Sequence, residues 1–328
     1  MQATDVYQES KQSSGHTEPD IPSDITFHPV FKELVHRSTS QDVLPVGWQS
    51  PAENRYLINI AWPQDHPFYT TVNGNHAANL VAETIRQCGL LLAHAAYDVP
   101  LGHHFVMWDM AYTRERARPA PAPGPRRIEV ETTCSDLRFR GRRLAAMTCD
   151  MTLRTEDGEI LARGGGRFDI VSPAVYRRLR GEQIESATLP VQREPVPPVV
   201  VGRARPIDVL LAPAPEPART TAASPRRWQL RADCAHPTMF DHRNDHFPGM
   251  VLVEAAFQAA NATVTPVRHH WSSVEVAFLG YVEFAPPCWI EVRTTPTDAP
   301  HRTALEVIGH QNDRPVFRAL LEGTSAQG

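Results

Sequence analysis

The chain repeats itself, and that limits its architecture more than any other feature. VHRSTSQDVL at 35–44 lies on VGRARPIDVL at 201–210, with Val, Arg, Asp, Val and Leu recurring at the same spacing. NRYLINIAWPQDHPF at 54–68 has its counterpart in RRWQLRADCAHPTMF at 226–240, which sets His66 and Pro67 on His236 and Pro237. NHAANLVAETIRQ at 75–87 then falls on DHFPGMVLVEAAFQ at 245–258, pairing His76 with His246, Glu83 with Glu254 and Gln87 with Gln258. The step from Val35 to Val201 is 166 positions and from Glu83 to Glu254 it is 171, so one gapped alignment covers everything. Such self-similarity marks a duplicated unit.

Each copy reads alike. The first has an extended segment at 55–62 and a helix at 77–97, its apolar residues recurring at helical spacing. Strands follow at 103–113, 126–137, 142–155 and 159–171. The second has a helix at 249–263 and strands at 272–284, 288–295, 303–311 and 315–323. Proline-rich stretches occur at 119–125, a loop tip, at 190–198, a linker, and at 213–217. The expected division is a disordered lead-in at 1–25, a first domain at 26–180, a linker at 181–200 and a second domain at 201–328. One long helix with an antiparallel meander is an α+β unit, a curled sheet wrapped around its helix. That description resembles the hotdog fold, and two tandem copies make a double hotdog.

Composition removes several function classes. A formal net charge of −4 gives no reason to expect nucleic acid or an anionic membrane as partner. No apolar run is long enough to span a bilayer, and the polar N-terminus lacks a secretory h-region. Five cysteines without a Cys-x-x-Cys pair argue against a disulfide framework or zinc ribbon, and fit a reducing cytoplasm. Lysine occurs only at Lys11 and Lys32, away from the motifs, so Schiff-base chemistry is set aside. Any phosphate is then expected to be held by arginine.

The stretch FDHRNDHFPGMVLVEAAFQAA at 240–260 carries the densest chemistry. A helix starting at Pro248 and Gly249 offers unpaired N–H groups to a thioester carbonyl, and Gly249 permits close approach. Glu254, about one and a half turns on, is expected near the same mouth with a raised pKa, as a general base. The alternative is a glutamate that caps or pairs with an arginine. His242, Asp245 and His246 cluster before the helix, where Asp245 reads equally as a cap. No metal-ligand spacing is present. Arg86 sits one turn from Glu83, placed to pair with it or with a substrate anion. Its counterpart is Phe257, so the halves are not equivalent. Trp108 and Met107 read as sheet core, Cys88 lacks an activating base, and the glycines at 164–166 lack a phosphate-loop context.

These segments resemble a known family. AETIRQCGLLLAHAAYDVPLGHHFVMWDMAYT and FDHRNDHFPGMVLVEAAFQAA look like the two signature segments of the AfsA-type A-factor biosynthesis family, as do VHRSTSQDVL and VGRARPIDVL. DHFPGMVLVEAAFQ is more distantly similar to the helix motif of hotdog dehydratases. The resemblance implies an actinobacterial enzyme joining a β-ketoacyl thioester, on acyl carrier protein or coenzyme A, to dihydroxyacetone phosphate. The product is a phosphorylated butenolide, precursor of γ-butyrolactone, butenolide or furan hormones. It implies Glu83, Glu254 and His246 as catalytic, and Arg86, Gln87, Gly249, Met250, Gln258, His66 and His76 as substrate-binding. The family's second Glu-x-x-Arg-Gln is altered here by Phe257. Sites across the interface would set Glu83 against His246, and Glu254 against His66 or His76. No metal or cofactor is implied, and either a monomer or a homodimer would serve. The rival expectations are a dehydratase or thioesterase on acyl thioesters, and a non-enzymatic ligand-binding regulator.

Overall fold

A computed structural model describes residues 27–69, 77–115, 126–186, 190–215, 226–297 and 301–325. The expected lead-in at 1–25 and the loop tip at 119–125 lie outside the described residues. The first half runs β1 (His28–Pro29), β2 (Pro45–Ala52), β3 (Arg55–Trp62), α1 (Asn79–Ala95), β4 (His104–Arg114), β5 (Arg126–Arg140), β6 (Arg143–Thr155) and β7 (Ile160–Val171). Two short helices, α2 (Pro173–Arg180) and α3 (Gln183–Ser186), close it. The second half runs β8 (Leu211–Pro213), β9 (Arg226–Leu230), α4 (Gly249–Val264), β10 (His269–Phe278), β11 (Trp289–Thr295), β12 (Arg302–Gln311) and β13 (Arg314–Ser325). The alternation of buried and open residues along β5 and β6 is what period-two patterning dictates. Helix α2 was not foreseen; Ser172 caps it by accepting from the Val175 N–H, with Pro173 at its first position.

Among the described residues the strands form one antiparallel sheet of 13, in the order β1-β2-β3-β5-β6-β7-β4-β10-β13-β12-β11-β9-β8. The second half repeats the order of the first in reverse, as a two-fold axis through the β4–β10 pair requires. Ala111 lies opposite Glu275 there. This corrects the expected fold, two units each with its own curled sheet wrapped around one helix. The sheet is single and open, with β1 and β8 as its ends. The reason lies in edge strands: β4 and β10 would each present unpaired backbone groups, and pairing with one another satisfies both. The glycines at 164–166 sit in β7, between β4 and β6. A Cβ at Gly164 would run into the backbone of Ala111, and one at Gly165 into that of Cys149, so their use is close strand approach.

Helix α1 is apolar on nearly every side and almost wholly enclosed. From Asn79 to His94 every residue is buried except Arg86. Helix α4 is likewise buried from Val251 to Ala260. Each helix is clipped to the chain ahead of its own first long strand by one glutamine. The Gln87 amide donates to the Asp42 carbonyl at 2.8 Å and accepts from the Leu44 N–H at 2.9 Å. Gln258 does the same with Asp208 and Leu210, at 2.7 Å each. Replacing Gln258 by methionine keeps the volume but strands a buried N–H and a buried C=O. The Gln258→Met variant is expected to lose about 3 kcal/mol of unfolding free energy in urea titrations, and a loss under about 1 kcal/mol would contradict this role.

Candidate active site

Two buried carboxylates organise the centre, and each is tied to an arginine of its own repeat. Arg37 follows the short helical turn Lys32–Val35, where the backbone turns through His36 into the left-handed region. Its guanidinium donates to Glu83 Oε1 at 2.6 Å and to the Thr238 carbonyl of the other half at 2.8 Å. In the second repeat Arg203 binds Glu254 Oε1 through Nε at 2.8 Å and donates to the Phe68 carbonyl at 2.6 Å. Each arginine therefore crosses the two-fold axis. The turns it reaches are fixed by the paired histidines. His66 donates from Nε2 to Asp42 at 2.9 Å while its Nδ1 accepts from the Phe68 and Tyr69 N–H groups. His236 repeats this with Asp208, Thr238 and Met239.

The two sites then diverge. Glu83 receives Arg86 as well, from Nε at 3.0 Å and Nη2 at 2.9 Å, and Gln87 at 2.7 Å. Glu254 receives Asn79 of α1 at 2.8 Å and Gln258 at 2.7 Å instead. Phe257, opposite Arg86 in the repeat, is buried. Burial alone would raise the Glu83 carboxyl, but the charges of Arg37 and Arg86 outweigh it and hold the group at about 2. Two guanidinium groups share this carboxylate.

A cavity of about 810 Å³ opens between α1, β4, the 238–250 segment and the 278–282 segment. Arg86 enters it from α1 with its side chain 21 % exposed. His246, Gly249 and Met250 also line it, so four of the sequence-selected residues are brought together. Glu83, Glu254, Gln87, Gln258 and His66 do not line it: all are buried in the hydrogen-bond lattice just described. Their hydrogen bonds to protein groups explain this correction to the expected substrate contacts of Gln87, Gln258 and His66. Nor does Glu254 project toward the α4 mouth or face His66; it points to Arg203 and Asn79. Glu83 bonds to Arg37, Arg86 and Gln87 rather than facing His246. His76 lies outside the described residues. Trp108, expected in the core, is 43 % exposed and lines the cavity, as does Met107.

At the α4 end, the first intrahelical bond runs from the Val251 N–H to the Pro248 carbonyl, which leaves the Gly249 and Met250 N–H groups at the helix mouth. Asp245 does not cap this helix. It accepts from Tyr176 at 2.8 Å and from Arg180 at 2.9 Å, both on α2, and lies 2.8 Å from His246 Nδ1. Arg180 is itself anchored on Glu283 through both terminal nitrogens. Burial would raise Asp245, but the hydrogen bonds from His246, Arg180 and Tyr176 hold it well below the usual carboxylate range. An ionised Asp245 fixes the hydrogen of His246 on Nδ1. The apolar wall is supplied by Leu90, Phe105, Phe168, Leu252 and Phe278. Missed in the sequence were Arg37, Tyr176, Arg180 and His36; only Arg37, which recurs as Arg203, left a signal there. Among the described residues no cluster of metal-ligating side chains occurs.

An open antiparallel sheet packed on two buried helices, with a cavity at their junction, places the chain among hotdog proteins. The family model for the A-factor biosynthesis hotdog domain (AfsA) matches residues 20–172 and again 185–325, and the chain belongs to that family. It is 40 % identical over 293 residues to the 2-oxo-3-(phosphooxy)propyl 3-oxoalkanoate synthase of Streptomyces virginiae, covering 89 % of this chain and 96 % of that one. The synthase of the same name from Streptomyces coelicolor is 37 % identical, over 92 % of this chain and 93 % of the other. Among solved structures, a Lactobacillus plantarum protein assigned as an oleoyl thioesterase superposes with a TM-score of 0.53 at 11 % identity, over 84 % of this chain and 97 % of its own, a likeness of fold alone.

The buried pairing of Glu83 has a consequence for stability. Its folded pKa, about 2, lies below the ordinary 4.5, so the stabilisation is full above pH 4.5 and lost as pH falls toward 2. The Glu83→Gln variant, weaker at neutral pH, is expected to lose less unfolding free energy between about pH 5 and about pH 3 than the wild type does. Parallel slopes in urea titrations at the two pH values would contradict this.

Proposed function

We infer that the chain transfers a β-ketoacyl group from a thioester, on acyl carrier protein or coenzyme A, to the free hydroxyl of dihydroxyacetone phosphate. This is the synthase activity that gives its Streptomyces relatives their name, since 2-oxo-3-(phosphooxy)propyl 3-oxoalkanoate is the ester so formed. The observation that carries the reading is Arg86. It is the one side chain of α1 between Asn79 and His94 that is not buried, and it enters a cavity with an apolar wall. A guanidinium there binds a phosphate, and the wall accepts an acyl chain. Glu83 and Arg37 act as positioning residues: they fix the plane of Arg86 before substrate arrives, which lowers the ordering cost of binding.

The thioester carbonyl lies at the mouth of α4, where the Gly249 and Met250 N–H groups stabilise the developing oxyanion. His246 serves the thioester end: Asp245 keeps its Nδ1 hydrogen, and Nε2 passes a proton drawn from solvent to the departing sulfur. The net step forms a carbon–oxygen bond, breaks the carbon–sulfur bond and releases a thiol. The ester holds an active methylene within reach of the dihydroxyacetone ketone. Five-membered ring closure with loss of water then gives a phosphorylated butenolide, precursor of γ-butyrolactone-type signals. Both partners are small molecules or a carrier-borne acyl group; neither nucleic acid nor membrane takes part. Among the described residues no helix is long and apolar enough to cross a membrane. A cytoplasmic location goes with the five free thiols.

Purified protein given a 3-oxoacyl thioester and dihydroxyacetone phosphate is expected to yield the ester or its dehydrated butenolide by mass spectrometry. Hydrolysed thioester as the sole product would contradict the reading. The Arg86→Ala variant, in which Arg37 still neutralises Glu83, is expected to raise KM for dihydroxyacetone phosphate by about 10- to 100-fold in initial-rate measurements. An unchanged KM would remove Arg86 from the phosphate site.

A further inference from the structure

Acyl transfer needs a proton acceptor for the attacking hydroxyl as well as a donor for the sulfur. We propose that His36 is that acceptor, the general base on the hydroxyl of the three-carbon phosphate. The assignment deepens the proposed function and rests on it. His36 lines the cavity with Arg86 and immediately precedes Arg37, the residue that holds Glu83.

Its backbone is the first sign. His36 has φ 53° and ψ 51°, in the left-handed region that side chains with a Cβ rarely adopt. The aligned motifs put Gly202 at the same place in the second repeat, with φ 76° and ψ 24°. Glycine suits that turn, and the turn itself gains nothing from an imidazole. A strained backbone at a cavity wall is where functional constraint is to be looked for.

The tautomer is the second. His94 Nδ1 lies 2.7 Å from the Val99 carbonyl, which can only accept, so that nitrogen carries the hydrogen. Neutral His94 then presents Nε2 as an acceptor, and His36 Nε2, 2.9 Å away, must donate to it. His36 is thereby left with its hydrogen on Nε2 and a lone pair on Nδ1. No hydrogen bond to this Nδ1 occurs among the described residues. Val99 and His94 thus hold His36 in the base form and orientation, as positioning groups.

Both imidazoles are neutral. Burial lowers His94, and burial followed by the Arg86 charge lowers His36 to about 3. The groups facing His36 are Arg86 and His94 on α1, His104 and Phe105 on β4, and His242 ahead of α4. A phosphate bound at Arg86 opposes that charge and raises the basicity of His36 in the complex that needs it. In the step, Nδ1 takes the hydroxyl proton while the oxygen bonds to the thioester carbon. The carbon–sulfur bond breaks, the sulfur takes a proton that His246 Nε2 has drawn from solvent, and His36 Nδ1 returns one proton to solvent. Thioester and alcohol become ester and thiol, with no other reactant.

The test is the His36→Gly variant, which gives this turn the residue its backbone favours and is expected to melt no lower than the wild type. With 3-oxoacyl thioester and dihydroxyacetone phosphate, kcat is expected to fall by at least about 100-fold, with KM for dihydroxyacetone phosphate within about threefold, and free imidazole to recover at least about tenfold. A kcat within about tenfold of wild type, or a loss that imidazole does not lift, overturns the assignment of His36. Wild-type protein that forms no ester would overturn the proposed function, and with it this step; undiminished ester synthesis by His36→Gly would overturn this step alone.

Discussion

A carboxylate with no exposure, shared between guanidinium groups, is the constraint on which the rest depends. Glu83 could not be buried inside an apolar helix unless its charge were met, and Arg37 and Arg86 meet it from two directions. Arg37 comes from the turn before β2 and goes on to the Thr238 carbonyl, so one guanidinium joins helix, turn and opposite repeat. Arg203 does the same for Glu254 and Phe68. Breaking such a pair leaves an uncompensated charge, which is why these contacts fix register between the halves more firmly than apolar packing alone would.

The duplication supplies the frame, and its departures from symmetry supply the chemistry. The replacements that distinguish the two centres include Arg86 against Phe257, His36 against Gly202, Asn79 against Met250, and Tyr69 against Met239. Arg37 keeps one bond to the Tyr69 hydroxyl, and Asn79 closes the lattice around Glu254. The first centre is left with a surplus guanidinium at a cavity. The second has one arginine for one carboxylate, with buried Phe257 at the position of Arg86. The second repeat contributes something else to the same cavity, the α4 N-terminus with His246 and Asp245. The proposed site is thus drawn from both repeats.

Much of the secondary structure was legible because each signal is local. Helix α1, helix α4 and the long strands announce themselves by period, and the repeat doubled every reading. The continuous sheet was not legible, because β4 and β10 pair across half the length of the chain and no local pattern records which edges meet. The site was half legible. Arg86, His246 and Gly249 stood out as chemistry in or beside apolar runs. The glutamates stood out for the same reason, yet their arginine partners across the fold could not be read from spacing, so they were placed at the substrate rather than in the lattice. Helix α2, which brings Tyr176 and Arg180 to Asp245, is only 8 residues long, too short for a helical period to stand out in the sequence. His36 was hidden by its glycine counterpart, since alignment draws the eye to what recurs and here the difference carries the information.

The central claim is that a duplicated frame has kept a single phosphate-binding centre, set by Arg86 on its buried Glu83. Calorimetric titration of the whole chain with dihydroxyacetone phosphate counts those centres directly. One equivalent per chain is expected, with the heat lost in Arg86→Ala. Two equivalents per chain, or one that survives that substitution, would contradict the account.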